Sequence, residues 1–221
     1  MRIALIHAVQ VAMPPVAEAF ARHWPEAELV NLLDDALSVD RERASDLTPA
    51  MAQRIDALAG YAQSLGAAGI LFTCSAFGPA IEATRSRRDL PVLKPNEAMF
   101  ALALAQGSRL GLLATFPPSV VSMEDELREA AAQAGRQYTL RTVCVPEALR
   151  SLKAGEARRH DDLLAAAAVE FSDVGTLMLA HFSTSRARPA VERVVTAPVL
   201  TSPDSAVAAL RKRLLGDSHD G

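Results

Sequence analysis

Cys74 and His181 are the two side chains whose type and placement suit proton transfer. Cys74 follows the apolar run Ile70-Leu71-Phe72, and His181, 107 positions further on, follows Leu177-Met178-Leu179 at the same distance. Each stands where a short strand gives way to a turn and a helix, the strand end at which parallel α/β sheets bind ligands. A thiolate there can remove a proton from a carbon acid, and an imidazole, which titrates near neutrality, can donate or accept one. The N–H groups of the turn after Cys74 predict a low-pKa thiol, and a nearby imidazolium would favour the thiolate further. His7, at the end of the first strand, and Thr115, in Ala114-Thr115-Phe116-Pro117-Pro118-Ser119, open towards the same place, where hydroxyls can hold substrate oxygens. Cys144, on an apolar strand before Pro146, reads as core, and His23, His160 and His219 read as surface residues.

The spacing of 107 is not confined to these two positions. Arg2-Ile3-Ala4-Leu5-Ile6 returns as Arg109-Leu110-Gly111-Leu112-Leu113, and Pro91-Val92-Leu93 returns as Pro198-Val199-Leu200. A register held across three runs indicates two copies of one structural unit. If the copies face each other about a pseudo-twofold axis, equivalent loops confront each other, and Cys74 and His181 approach a bound molecule from opposite sides.

Short apolar runs alternate with longer amphipathic stretches, the pattern of an α/β protein with parallel sheets. The expected architecture is two pseudosymmetric lobes, each a parallel sheet flanked by helices, with the active-site cleft between them. Strands are predicted at 2–7, 28–32, 69–73, 91–93, 109–114, 139–145, 175–180 and 198–200. The first lobe is expected to span 1–94 and the second 95–199, with a C-terminal helix within 200–221 returning to the first. Thr48-Pro49 and Ser202-Pro203 read as helix starts and Gly135 as a helix stop. The segment 34–46 reads as a loop or short helix over the cleft, and 146–155 as a loop.

The 221 residues are half apolar and 22% charged, with a net charge of −3, so there is no basic footprint for nucleic acid. No apolar stretch approaches the roughly 18 residues of a membrane span. Two cysteines are too few for a disulfide framework, and no cluster has metal-ligand spacing, so the expectation is a cytoplasmic protein without metal.

Taken together, the first strand and its loop, Thr73-Cys74-Ser75-Ala76, Gly111-Leu112-Leu113-Ala114-Thr115 and Leu179-Ala180-His181-Phe182-Ser183 resemble the aspartate/glutamate/hydantoin racemase superfamily, which also contains maleate isomerase and arylmalonate decarboxylase. The resemblance implies two cysteines acting as acid and base on opposite faces of a carbon acid, with no cofactor or metal. It also implies that backbone N–H groups and hydroxyls at Ser75, Ala76, Thr115 and Ser183 hold a substrate carboxylate, with Ser119 in the same loop, and that the chain forms a homo-oligomer. This sequence departs from the pattern by placing His181 where the second cysteine belongs; arylmalonate decarboxylases keep their single cysteine in the other lobe. Three readings are open: a cofactor-independent racemase or isomerase using Cys74 and His181; a one-cysteine decarboxylase or cis–trans isomerase of a small dicarboxylate; and a non-catalytic carboxylate-binding protein.

Overall fold

The computed structural model describes residues 1–216. The predicted tail beyond, with His219 and the end of the 200–221 segment, lies outside the described residues. The strands are β1 (Arg2–His7), β2 (Glu28–Leu33), β3 (Gly69–Phe72), β4 (Val92–Leu93), β5 (Arg109–Ala114), β6 (Thr139–Cys144), β7 (Thr176–Leu179) and β8 (Val199–Thr201). Between and after them run α1 (Met13–His23), α2 (Ala36–Arg43), α3 (Pro49–Ser64), α4 (Gly78–Arg85), α5 (Glu97–Gln106), α6 (Val120–Gln133), α7 (Pro146–Lys153), α8 (Ala157–Ala168), α9 (Arg188–Val191) and α10 (Ser202–Leu215).

The strands form two four-stranded parallel sheets, ordered β2-β1-β3-β4 and β6-β5-β7-β8, so the topology is duplicated. The register is duplicated too: Ile3 pairs with Gly69 and Ile70 with Val92 in the first sheet, as Leu110 pairs with Thr176 and Leu177 with Val199 in the second. The repeat slips only at the outer strand, where Arg2 pairs with Glu28 but Arg109 with Thr139, and the register recovers by β7.

Alternation along the strands explains the layers, because successive side chains point to opposite faces. Ala4, Ile6, Ile70 and Phe72 pack with Ile55 of α3 and Ile81 of α4, while Ile3, Leu5 and Leu71 pack with Phe20 of α1 and Val207 and Leu210 of α10. In the second sheet Leu113, Leu177 and Leu179 meet Leu164 of α8 and Val191 of α9; Leu110, Leu112 and Met178 meet Met99 and Phe100 of α5 and Leu127 of α6. The helix that follows each copy's last strand therefore covers the sheet of the other copy. α5 lies on the second sheet and α10 on the first.

Local signals act where predicted in part. The Thr48 hydroxyl accepts the Met51 N–H at 3.3 Å, capping α3 ahead of Pro49. Gly135, at φ 61°, ends α6, and the Arg136 N–H reaches back to the Ala131 carbonyl. Ser202 instead opens α10 as a helical residue, its hydroxyl 2.6 Å from Asn96 Oδ1. The 34–46 segment contains α2, and the segment read as a 146–155 loop is mostly α7, whose Ala148 and Ser151 are buried. His160 is not a surface residue: it is fully buried in α8, its Nδ1 2.8 Å from Asp161 Oδ1.

Gly111 stands where the first copy has Ala4, and the difference is steric. A Cβ at 111 would lie 2.6 Å from the Phe171 ring and 3.0 Å from Leu177 Cδ1. Gly111→Ala should lower stability by about 1–3 kcal/mol, the usual cost of overpacking a filled core. Denaturant unfolding checks this, with a lowered midpoint and an unchanged slope as the expected outcome.

Candidate active site

β3 ends at Phe72, and the chain passes through Thr73 and Cys74 into a 3-10 turn at Ser75–Phe77 and then α4. β7 ends at Leu179, and the chain passes through Ala180 and His181 into a 3-10 turn at Phe182–Ala187 and then α9. The repeat carries Cys74 onto His181, and both side chains line one cavity. Its other walls come from both lobes: Thr73 and Ser38 from the first, and Thr115, Phe116, Leu149, Lys153 and Ser183 from the second. The free space is about 30 Å³, enough for one or two water-sized molecules. The expected room for a substrate is thus absent in this arrangement.

The backbone departs from the repeat at the site itself. Cys74 is extended, at φ −120° and ψ 124°, whereas His181 has φ 74° and ψ 140°. Among the described residues, His181 is the only non-glycine residue with positive φ. That region costs an L residue on the order of 1–3 kcal/mol and persists only where the surroundings enforce it, typically at functional sites.

The surroundings enforce it through the imidazole ring. Nε2 lies 2.7 Å from Ser119 Oγ, and Nδ1 lies 3.3 Å from both the backbone N and Oγ1 of Thr115. The Ser119 hydroxyl has one proton, and it is donated to the Phe116 carbonyl at 2.7 Å. Nε2 must therefore carry the ring proton and donate it to Ser119. A backbone N–H can only donate, so Nδ1 must be the unprotonated nitrogen. Two independent contacts assign the same neutral tautomer.

Protonation follows burial. Loss of solvent pushes the Cys74 thiol up to about 11, and the N–H of Ala76 and the charges of Arg41 and Lys153 offset only part of this. Burial lowers His181 to about 4. The expectation of a low-pKa thiol beside an imidazolium is corrected: the turn does pull the thiol down as predicted, but desolvation outweighs it, and the resting pair is thiol and neutral imidazole. Cys144 is also raised by partial burial, so it is no contrast in direction.

The remaining predicted residues divide. Thr115 and Ser183 line the cavity with Cys74 and His181. His7 is not among the lining residues; its Nδ1 is 2.9 Å from Thr73 Oγ1 and its Nε2 is 2.9 Å from Asn31 Oδ1, so it braces the residue before Cys74. Ser75 is buried and accepts a hydrogen bond from Asn96 Nδ2 at 2.8 Å, and Asn96 accepts in turn from Ser202. Ala76 faces a different cavity, and Ser119 reaches the site through the imidazole. Sequence reasoning missed Lys153, Arg41 and Asn96. Lys153 ends the helix that was read as a loop, while Asn96 and Arg41 had no local signal. Among the described residues, no group of three or more His, Cys, Asp or Glu side chains could hold a metal.

The fold and site define a class: duplicated parallel α/β lobes with one acid/base candidate from each copy at a shared cleft. A model described as Asp/Glu/Hydantoin racemase matches residues 12–120. Aspartate racemase from Picrophilus torridus superposes with a TM-score of 0.73 at 17% identity, over 96% of this chain and 94% of that one. Glutamate racemase RacE1 from Bacillus anthracis gives 0.72 at 11%, over 98% and 82%. A glycine-to-cysteine mutant of arylmalonate decarboxylase gives 0.62 at 21%, over 99% and 94%. No curated protein sequence matches the chain. The sequence match to the racemase family spans residues 12–120, and the fold of solved racemases extends over nearly the whole chain. No helix among the described residues is long and apolar enough to cross a membrane.

A histidine held at about 4 in the fold and at 6.5 when unfolded is neutral in both states above pH 6.5, so it has no effect there. Below that the unfolded chain takes up the proton first, and stability falls until pH reaches about 4. The loss attributable to His181 should be roughly 3 kcal/mol across this window. Unfolding free energies of wild type and His181→Gln at a series of pH values check this: the difference between them should change by about that amount, and a constant difference would refute it.

Proposed function

We propose that this chain is a cofactor-independent racemase or isomerase that transfers protons at the carbon alpha to a carboxylate or carbonyl, with Cys74 and His181 on opposite faces. The observation that carries the reading is that the repeat's two equivalent positions line one water-poor cavity as a thiol and an imidazole with an unprotonated Nδ1. A thiol and a neutral imidazole are complementary: one gives a proton while the other takes one.

The substrate carboxylate binds the N–H and hydroxyl of Thr115 and the hydroxyl of Ser183. These Thr115 donors otherwise face Nδ1, so carboxylate binding releases the ring nitrogen for chemistry. Nδ1 then removes the alpha proton, the C–H electron pair delocalises into the enolate, and the Cys74 thiol protonates the opposite face. The pair is left as imidazolium and thiolate, which serve the reverse direction. Ser119 keeps the ring oriented by accepting from Nε2 throughout. Lys153 and Arg41 stabilise the thiolate electrostatically, and Lys153, at the cavity wall, suits a second anionic group on the substrate.

A second reading is favoured by the depression of His181 to about 4 and the engagement of both its nitrogens. Here Cys74 alone handles the proton, as in a decarboxylase that protonates the planar carbanion left after carbon dioxide departs, or a cis–trans isomerase.

Alpha-proton exchange in deuterium oxide, screened over amino acids, hydantoins and substituted malonates, separates the readings. Under the first, wild type exchanges and interconverts enantiomers, Cys74→Ser slows both by about 10²–10⁴, and His181→Asn loses interconversion while retaining exchange on the face of Cys74. Decarboxylation of a malonate with no exchange on any carbon acid would favour the second. Neither activity in wild type would leave neither enzymatic reading standing.

A further inference from the structure

The turn that carries Cys74 has a second cavity on its other side. It has a volume of about 570 Å³, within the range of small-molecule sites, and lies between α4 of the first lobe and α6 of the second. Ala76, whose N–H bonds the Cys74 sulfur, and Gly78 belong to its wall. Cys74, His181, Thr115 and Ser183 line the other cavity and not this one.

The inner end of this cavity is built around an unpartnered acid. Glu126 is 9% exposed, and neither carboxylate oxygen has a hydrogen-bond partner. Its nearest cation, Lys94, is 3.8 Å away and shared with Glu82 at 3.6 Å. The carboxylate and the Ser122 hydroxyl converge over Gly78: a Cβ at 78 would stand 2.4 Å from Glu126 Oε1 and 2.9 Å from Ser122 Oγ. Only glycine leaves that space open. Burial pushes the Glu126 carboxyl up to about 7, partly offset by Lys94 and reinforced by Glu97 and Glu129, so a charge here is costly without a donor beside it.

The wall chemistry narrows the donor. Ser122, Glu126 and Glu129 follow one face of α6 at helical spacing, with Asp125 beside them, about 5–6 Å between neighbours. Glu129 is exposed and Glu126 buried, so acid lines the cavity from mouth to floor. Arg41, the other cation of the wall, donates to the Ala44 and Pro118 carbonyls. The acids are not grouped to hold a metal ion. Leu47, Pro79, Ala83 and Val121 supply apolar surface along the same path. A primary ammonium has three donors for two carboxylate oxygens and a hydroxyl, and an alkyl stem suits the apolar wall.

We propose that this cavity binds a short aliphatic diamine, one ammonium seated on Glu126 and Ser122 and the other on Glu129 at the mouth, beside an Asp125 already paired with Arg128. The occupant bridges the two lobes behind the Cys74 turn. The test is calorimetric titration of the full chain with putrescine, compared with butylamine and butanol. Putrescine should bind saturably at one site per chain, butylamine more weakly and butanol not at all. Glu126→Gln should weaken putrescine at least about tenfold, and Glu129→Gln should reduce it to the level of butylamine, with thermal melts confirming that both variants are folded. No saturable binding of putrescine to wild type, or unchanged affinity in folded Glu126→Gln, overturns the proposal. The measurement requires no turnover, so its outcome is independent of the activity proposed above.

Discussion

Exclusion of water from the seam between the two lobes governs the chemistry of this molecule. The same desolvation raises the thiol of Cys74 and lowers the imidazole of His181, so both groups rest uncharged and each can act only as the partner of the other. In water an isolated pair of this kind already favours its neutral form by about 3 kcal/mol. In the closed seam that preference is much stronger. Arg41 and Lys153 counterbalance that preference on the thiol side, while the imidazole side has no counter-ion among the causes of its shift. The two sides of the cavity are thereby unequal, in a fold whose sheets are otherwise close copies.

The inequality is written into the backbone as well as the side chains. Thr115 and Ser119 come from the loop after β5, His181 from the turn after β7, and the three are joined by hydrogen bonds that fix the ring's tautomer. In the first copy the corresponding region uses other partners: His7 braces Thr73, and Asn96 with Ser202 anchors Ser75. Ser202, at the start of α10, and Asn96, just before α5, meet at the junction of the lobes. The Cys74 turn of the first lobe is thus held by residues from the boundaries of both copies.

The duplicated apolar runs made the architecture legible, because Leu, Ile and Val at strand period leave few alternatives once a register repeats. Pairing at the inner strands follows the repeat residue for residue, whereas the outer strand, half-exposed and weakly patterned, slips. The helix α7 was hidden by its brevity and by Pro146, which reads equally well as a loop residue or a first-turn proline. Cys74, His181 and Thr115 were legible as cavity residues from strand-end position and the repeat, and Ser183 from the family resemblance. Their protonation was not, since it depends on Phe116 and Leu149 closing over the thiol from the other lobe, contacts with no trace in local sequence. Nor was the bond from His181 to Ser119, which links residues 62 positions apart.

The exchange of α5 and α10 between the lobes bears on how such a chain could have arisen. A single copy ending with its own last helix would fold a sheet with one face only partly covered, and it would carry a helix whose apolar side fits a sheet it does not possess. Two identical copies would satisfy each other reciprocally, each roofing its partner, with a pair of identical strand-end turns meeting at the seam. Joining them end to end changes no contact. It makes the two turns separately heritable, so that one can remain a cysteine while the other becomes a histidine on a strained backbone, a divergence closed to a symmetric ancestor in which every substitution appears twice.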